Sequence, residues 1–215
     1  MGTDETQIGH STPPRTDPKG AVMVDPQVQP IVDELERPPV PWQVFAHSAP
    51  EAPGFYAAWL AGDGALQSTV LREWRSDGPI YVGESANLSQ REARTHFASD
   101  GSGWSTLRRS IGALLRRQLN LEAHPRGSGG SRQDLLCYRF QPEGEQRLTA
   151  WMRENLRLSW WEDDQRSVST RQRKDLETKL IRLLEPPLCL NKWENPYRRC
   201  VKEERAACTL EAAGR

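Results

Sequence analysis

The sequence predicts an α+β fold, a small and mainly antiparallel β-sheet flanked by helices, with a disordered N-terminal arm in front of it. Three observations predict it. Short apolar segments of strand length stand at Gly54–Leu60, 80–84 and 157–162, bounded by polar and turn-forming residues. Leucine-rich stripes at helical spacing occupy 105–119 and 175–185. The opening stretch is proline-rich, acidic and without hydrophobic periodicity, so it has no face to bury.

The 215 residues suffice for one domain. A hydrophobic content of 36% is low for a chain folded throughout. The expected division is an arm over 1–48, a folded domain over 49–195 and a C-terminal tail over 196–215. Ten of the sixteen prolines fall before residue 54; each fixes φ and removes an amide donor, which discourages helices and central strands. Disorder is expected through about residue 30, followed by a loosely docked segment at 42–45. The arm reads as a solvated leader, with autoinhibition of a basic site as the other reading.

The net charge of zero conceals an asymmetry. Residues 1–53 hold three basic and eight acidic residues, a balance of −5, and the remainder carries +5. A mildly basic body suits a phosphate-bearing partner. The four cysteines, Cys137, Cys189, Cys200 and Cys208, form no Cys-x-x-Cys pair and follow no signal peptide, which points to free thiols in a reducing cytoplasm. Their spacing does not support a zinc site. No apolar run approaches the ~20 residues that span a bilayer.

Gly54–Leu60 alternates Phe55, Ala57 and Trp59 on one side with Tyr56, Ala58 and Leu60 on the other. Gly62-Asp63-Gly64 reads as a turn, and 70–74 extends the hairpin. The second strand, 80–84, places Tyr81 and Gly83 on one face. A helix then starts at the cap Asn87 and carries Arg91, Arg94 and His96. Ser105 caps the next helix, through about Leu119. Its apolar stripe leaves Arg109 and Arg116 opposite and Arg108 and Arg117 on the flanks, a surface fit to face DNA or simply a solvated one.

The Gly/Ser/Arg stretch at 122–134 is a basic loop that either folds over a nucleic-acid backbone or serves as a linker. Residues 135–140 read as a strand, 147–156 as a short helix, and 157–162 as a strand whose Trp160 and Trp161, like Trp151, read as core. The helix at 175–185 sets Glu177 inside its apolar margin, where a lone carboxylate is costly and needs a cation, a partner or a cleft. Pro186-Pro187 stops that helix. Residues 188–191 read as a last short strand, and 203–213 as a loosely attached helix or a frayed end.

Tyr56, Tyr81, Arg91 and Glu177 together suit phosphodiester hydrolysis. The reaction needs an activated water, neutralisation of developing charge and a stabilised leaving oxygen. An arginine fork matches phosphate oxygens. A single carboxylate can hold a hard divalent ion that keeps most of its waters. A tyrosine, with a free pKa of about 10, becomes a usable base beside a cation.

At these residues the sequence resembles the GIY-YIG nuclease superfamily. Gly54-Phe55-Tyr56 stands for its first motif and Tyr81-Val82-Gly83 for its second, with Arg91 matching the helix arginine, Glu177 the metal-binding glutamate, and Asn191 after Pro187 a polar residue beyond that helix. The resemblance spans about 53–192, and the segments 105–115 and 148–161 are similar to a bacterial, actinobacterial branch. It implies a β-β-α-β-α core and a metal-dependent endonuclease acting on DNA with Mg²⁺ or Mn²⁺. Tyr56 would help deprotonate the attacking water, Tyr81 orient it, Arg91 bind the scissile phosphate, and Glu177 anchor the metal. Arg94, His96, Arg108, Arg109, Arg116 and Asn191 are the expected DNA contacts. The gap between Tyr56 and Tyr81 is long for the family, and no separate DNA-recognition domain is evident. A silent nucleic-acid-binding module and an interaction subunit whose protein partner gives specificity are the competing readings; a homodimer would suit double-strand cleavage.

Overall fold

The computed structural model describes residues 25–215 apart from 63–65, 67–68, 73, 75–76, 92–95, 98–100 and 129–130, and apart from the side chain of Arg91. The expected disorder of the first 24 residues, most of the Gly62–Gly64 turn and Arg94 therefore lie outside the described residues.

A four-stranded sheet organises the fold. Its strands are β1 (Val40–Pro41), β2 (Gly54–Leu60), β3 (Tyr81–Ser85) and β6 (Leu156–Glu162), in the order β1-β6-β2-β3 with every pairing antiparallel. β2 lies between β3 and β6, and its first five residues are buried on both faces. That explains its uninterrupted apolar run. A separate two-stranded ribbon pairs β4 (Ala123–His124) with β5 (Arg139–Phe140).

Helices cover both faces of the sheet. On the Tyr56 face, side chains of α2 (Trp42–Ser48), α4 (Thr106–Leu115), α6 (Pro142–Asn155) and α8 (Arg198–Ala212) form one core around Phe45, Leu107, Ile111, Leu148, Met152 and Val201. On the Phe55 face, α1 (Gln29–Leu35) and α7 (Thr170–Leu184) form a second core through Leu35, Leu176 and Leu180. Two short helices, α3 (Leu88–Arg91) and α5 (Arg132–Leu136), complete the set.

Several sequence expectations change here. Residues 25–48 are not a loose arm: α1 seals one face of the sheet, and Trp42 and Phe45 of α2 are buried in the other. The apolar residues of that segment were few, but Ile31, Leu35, Trp42 and Phe45 pack into the cores on the sheet's two faces. The described residues of 70–74 form turns, not a hairpin extension. Residues 135–140 divide between α5 and β5, and 188–191 form turns instead of a strand. The C-terminal helix is neither loose nor frayed, since Val201 and Cys208 are fully buried against α4.

The turns after α7 cover the outer edge of β3. Glu185 adopts a left-handed conformation at φ +47°, and Pro186-Pro187 cannot continue the helix. Leu188 then donates its amide to the Ile80 carbonyl at 3.0 Å. The Cys189 thiol accepts from the Val82 amide (3.4 Å) and donates to the Val82 carbonyl (3.1 Å). These bonds cover an edge that would otherwise expose unpaired backbone groups. Burial pushes the Cys189 thiol up to about 12, so it stays protonated and able to donate.

Candidate active site

Both motif glycines are required by close approach. A Cβ on Gly54 would lie 2.1 Å from the Trp161 carbonyl oxygen of β6. A Cβ on Gly83 would lie 2.4 Å from the hydroxyl oxygen of Tyr56. The register sets Tyr56 opposite Gly83, and the missing side chain leaves room for the phenol to lie across β3.

Tyr56 is fully buried, and its hydroxyl meets His96 Nε2 at 2.7 Å. His96 Nδ1 meets Ser105 Oγ at 2.5 Å, and the same Oγ caps α4 by accepting from the Arg108 amide at 3.0 Å. Tyr81 completes the cluster, with ring centroids 6.1 Å from Tyr56 and 6.2 Å from His96. Tyr56, His96 and Ser105 are buried and Tyr81 is half-buried, so the group meets solvent at Tyr81.

Two proton arrangements satisfy the chain. Tyr56 donates to Nε2 while Nδ1–H donates to Ser105, or Ser105 donates to Nδ1 while Nε2–H donates to Tyr56. A tyrosine and an imidazole connected this way can exchange a proton without either being solvated.

Arg108 secures the histidine from behind. Its guanidinium is fully buried, pairs with Glu145 at 2.5 Å, and donates to the His96 carbonyl at 2.9 Å and to Thr149 Oγ1 at 3.0 Å. Glu145 also accepts from Ser102 Oγ (2.8 Å) and the Phe140 amide (3.0 Å), so the buried charges have a complete set of partners. The expectation of an arginine-lined DNA face on α4 is thereby corrected. Arg108 is core. Arg109 is buried, donating to the carbonyls of Ser102 and Gly103, and desolvation lowers its pKa. Arg116 is half-buried and pairs with Glu211 of α8 at 3.5 Å. The physical causes differ: α6 supplies the Arg108 partners Glu145 and Thr149, the Gly101–Trp104 turn takes Arg109, and α8 supplies Glu211 to Arg116.

Glu177 lies apart from this cluster, on α7, which packs beside β3. Its carboxylate is partly exposed and pairs with the Lys192 ammonium at 2.5 Å. Lys192 has φ +81°, uncommon for a residue with a side chain, and Arg182 donates to its carbonyl at 3.1 Å. The cation that the position of Glu177 demanded is thus supplied within the chain. Among the described residues no group of three or more His, Cys, Asp or Glu is placed to hold a metal ion. A single accessible carboxylate has the chemistry of a ligand to a hard ion that keeps its waters, but the Lys192 ammonium would compete with such an ion for it.

Asn191 is exposed. Asn195 holds the covering turn instead: its side-chain amide donates to the Pro187 (2.9 Å) and Cys189 (3.1 Å) carbonyls, and its oxygen accepts from the Tyr197 amide. The Asn195-Pro196 dipeptide was the available signal, since such pairs favour turns. Arg91 closes α3, whose first turn is held by the Asn87 side chain accepting from the Gln90 amide at 3.0 Å. Ser105, Glu145 and Lys192 carried no individual signal for the site. They enter it through contacts between distant segments.

Residues 54–207 match the model of a family described as the GIY-YIG catalytic domain; the matched region opens on Gly54 and ends within α8. No curated protein and no solved structure matches the chain. Among the described residues no helix is long and apolar enough to cross a membrane.

Proposed function

Because the chain belongs to the GIY-YIG catalytic-domain family, we propose that it is a metal-dependent endonuclease that hydrolyses DNA phosphodiester bonds through Tyr56, Tyr81, Arg91, His96 and Glu177. The observation that carries the reading is the hydrogen-bonded chain from Tyr56 through His96 to Ser105, built on the two motif strands.

Tyr81, where the cluster meets solvent, orients the attacking water. Tyr56, itself buried, receives that water's proton through a neighbouring group as its own passes to His96 Nε2, and Ser105 at Nδ1 fixes the ring. Arg91, on the helix after β3, binds the scissile phosphate through its guanidinium fork. Glu177 would hold Mg²⁺ or Mn²⁺, with Lys192 giving up the carboxylate. When bound, such an ion supplies charge neutralisation at the phosphate and its leaving oxygen.

The test is cleavage of supercoiled plasmid and of a branched duplex, with Mg²⁺ and with EDTA, by wild type, Arg91→Ala and Glu177→Ala. Metal-dependent cutting lost in both variants supports the site. Variants that cut like wild type overturn the assignment of residues. A wild type that binds DNA and cuts nothing points to a silent binding module.

A further inference from the structure

Trp104 differs from the buried tryptophans of the fold in being 70% exposed. It ends a 3₁₀ turn, Gly101–Trp104, one residue before Ser105 of the proton chain. The Arg126 guanidinium lies over its ring, 4.3 Å from the centroid. The pairing is built into the fold. A Cβ on Gly103 would come within 2.8 Å of Arg126 Cγ, so that glycine lets the arginine stem cross the turn. Arg126 also donates to the Gly103 carbonyl, and its backbone amide bonds to the Asp134 carbonyl at 3.1 Å. Below the turn, buried Arg109 grips the Ser102 and Gly103 carbonyls at 2.9 and 3.0 Å. With one face under a cation and 70% exposure remaining, the rest of a large ring stands in water.

We propose that Trp104, backed by Arg126, is a stacking platform for an unpaired base, and that the preferred substrate carries a single-stranded segment beside the scissile bond. This rests on the nuclease reading above. A base within a duplex is already stacked on its neighbours, whereas an unpaired base offers a π-face that an aromatic side chain captures with little regard to sequence. The guanidinium on the ring adds positive charge where the phosphate backbone passes. Trp104 immediately precedes Ser105 of the proposed proton chain, so the platform belongs to the same turn that anchors His96.

The test is fluorescence anisotropy with Ca²⁺ in place of Mg²⁺, using an end-labelled single strand, a flapped duplex and a fully paired duplex. Cleavage of flapped against paired duplex is then competed with Mg²⁺. Trp104→Ala is expected to weaken single-strand and flap binding by about 5- to 150-fold and to leave the paired duplex unaffected. Trp104→Phe should keep most of the affinity, and thermal unfolding of both variants should match wild type because the ring is exposed. Equal losses on all three substrates overturn the platform. No loss on any, with cutting intact, overturns it too and leaves the nuclease reading standing. A wild type that neither binds nor cuts overturns both readings.

Discussion

The two halves of the proposed active site are held in opposite ways. Tyr56, His96 and Ser105 form a buried hydrogen-bonded chain with the Arg108–Glu145 pair sealed behind it. Glu177 and Lys192 form one partly exposed ion pair on a helix and the turn that follows it. The buried half has fixed geometry because every polar group depends on its partner in a place water does not reach. The exposed half is exchangeable, since water, salt or a metal ion can replace either partner at small cost. The proposed nuclease would use both: a proton path preorganised before substrate arrives, and a carboxylate able to take a cation with it.

Removing the imidazole tests this contrast most severely. His96→Gln is expected to lower the cleavage rate by about 10²- to 10⁴-fold while circular dichroism shows a folded protein. Unchanged cleavage would mean that the buried chain is only packing. Breaking the pair behind it comes next: Arg108→Ala should destabilise by about 3–5 kcal/mol in urea unfolding, because Glu145 is left buried and charged. The same measurement on Glu177→Ala should show less than about 1 kcal/mol, and similar losses for the two would erase the distinction between the halves.

Gly83→Ala should cost about 1–3 kcal/mol, since the added Cβ meets the Tyr56 hydroxyl. Its effect on cleavage should exceed its effect on unfolding, because the phenol must leave His96 to make room. The smallest expected effect sharpens the exposed half. Lys192→Met removes a competitor for the carboxylate and should tighten Mn²⁺ binding by up to about fivefold, read by titration calorimetry without substrate. Weaker binding in that variant would show that Lys192 positions Glu177 and does not compete for it.

Much of the sheet was legible because its signals are local. The run from Gly54 to Leu60 had strand length, and the motif glycines marked places where something passes close. Asn87 and Ser105 were readable as caps, and both side chains accept the expected amides. His96 was visible only as a basic residue on a helix, because its partners lie 40 residues before it and 9 after it. The arginines of α4 were misread for a related reason: amphipathicity assigns one face to the core and cannot say whether a later helix covers the other.

By itself the sequence determined the fold class, the strands that carry the two motif tyrosines, and that Glu177 needs a cation, a partner or a cleft. Each follows from residues adjacent in the chain or one helical turn apart, where periodicity and chirality fix direction. Tertiary structure alone decided that Arg108 is core and His96 is bound to Tyr56. It also decided that Asn195 and Cys189 secure the turns over β3, and that the cation facing Glu177 is Lys192. Those outcomes depend on which surfaces the closed chain removes from water, and α6, the turns after α7 and the contacts of His96 across 40 residues settle that between segments far apart in the sequence.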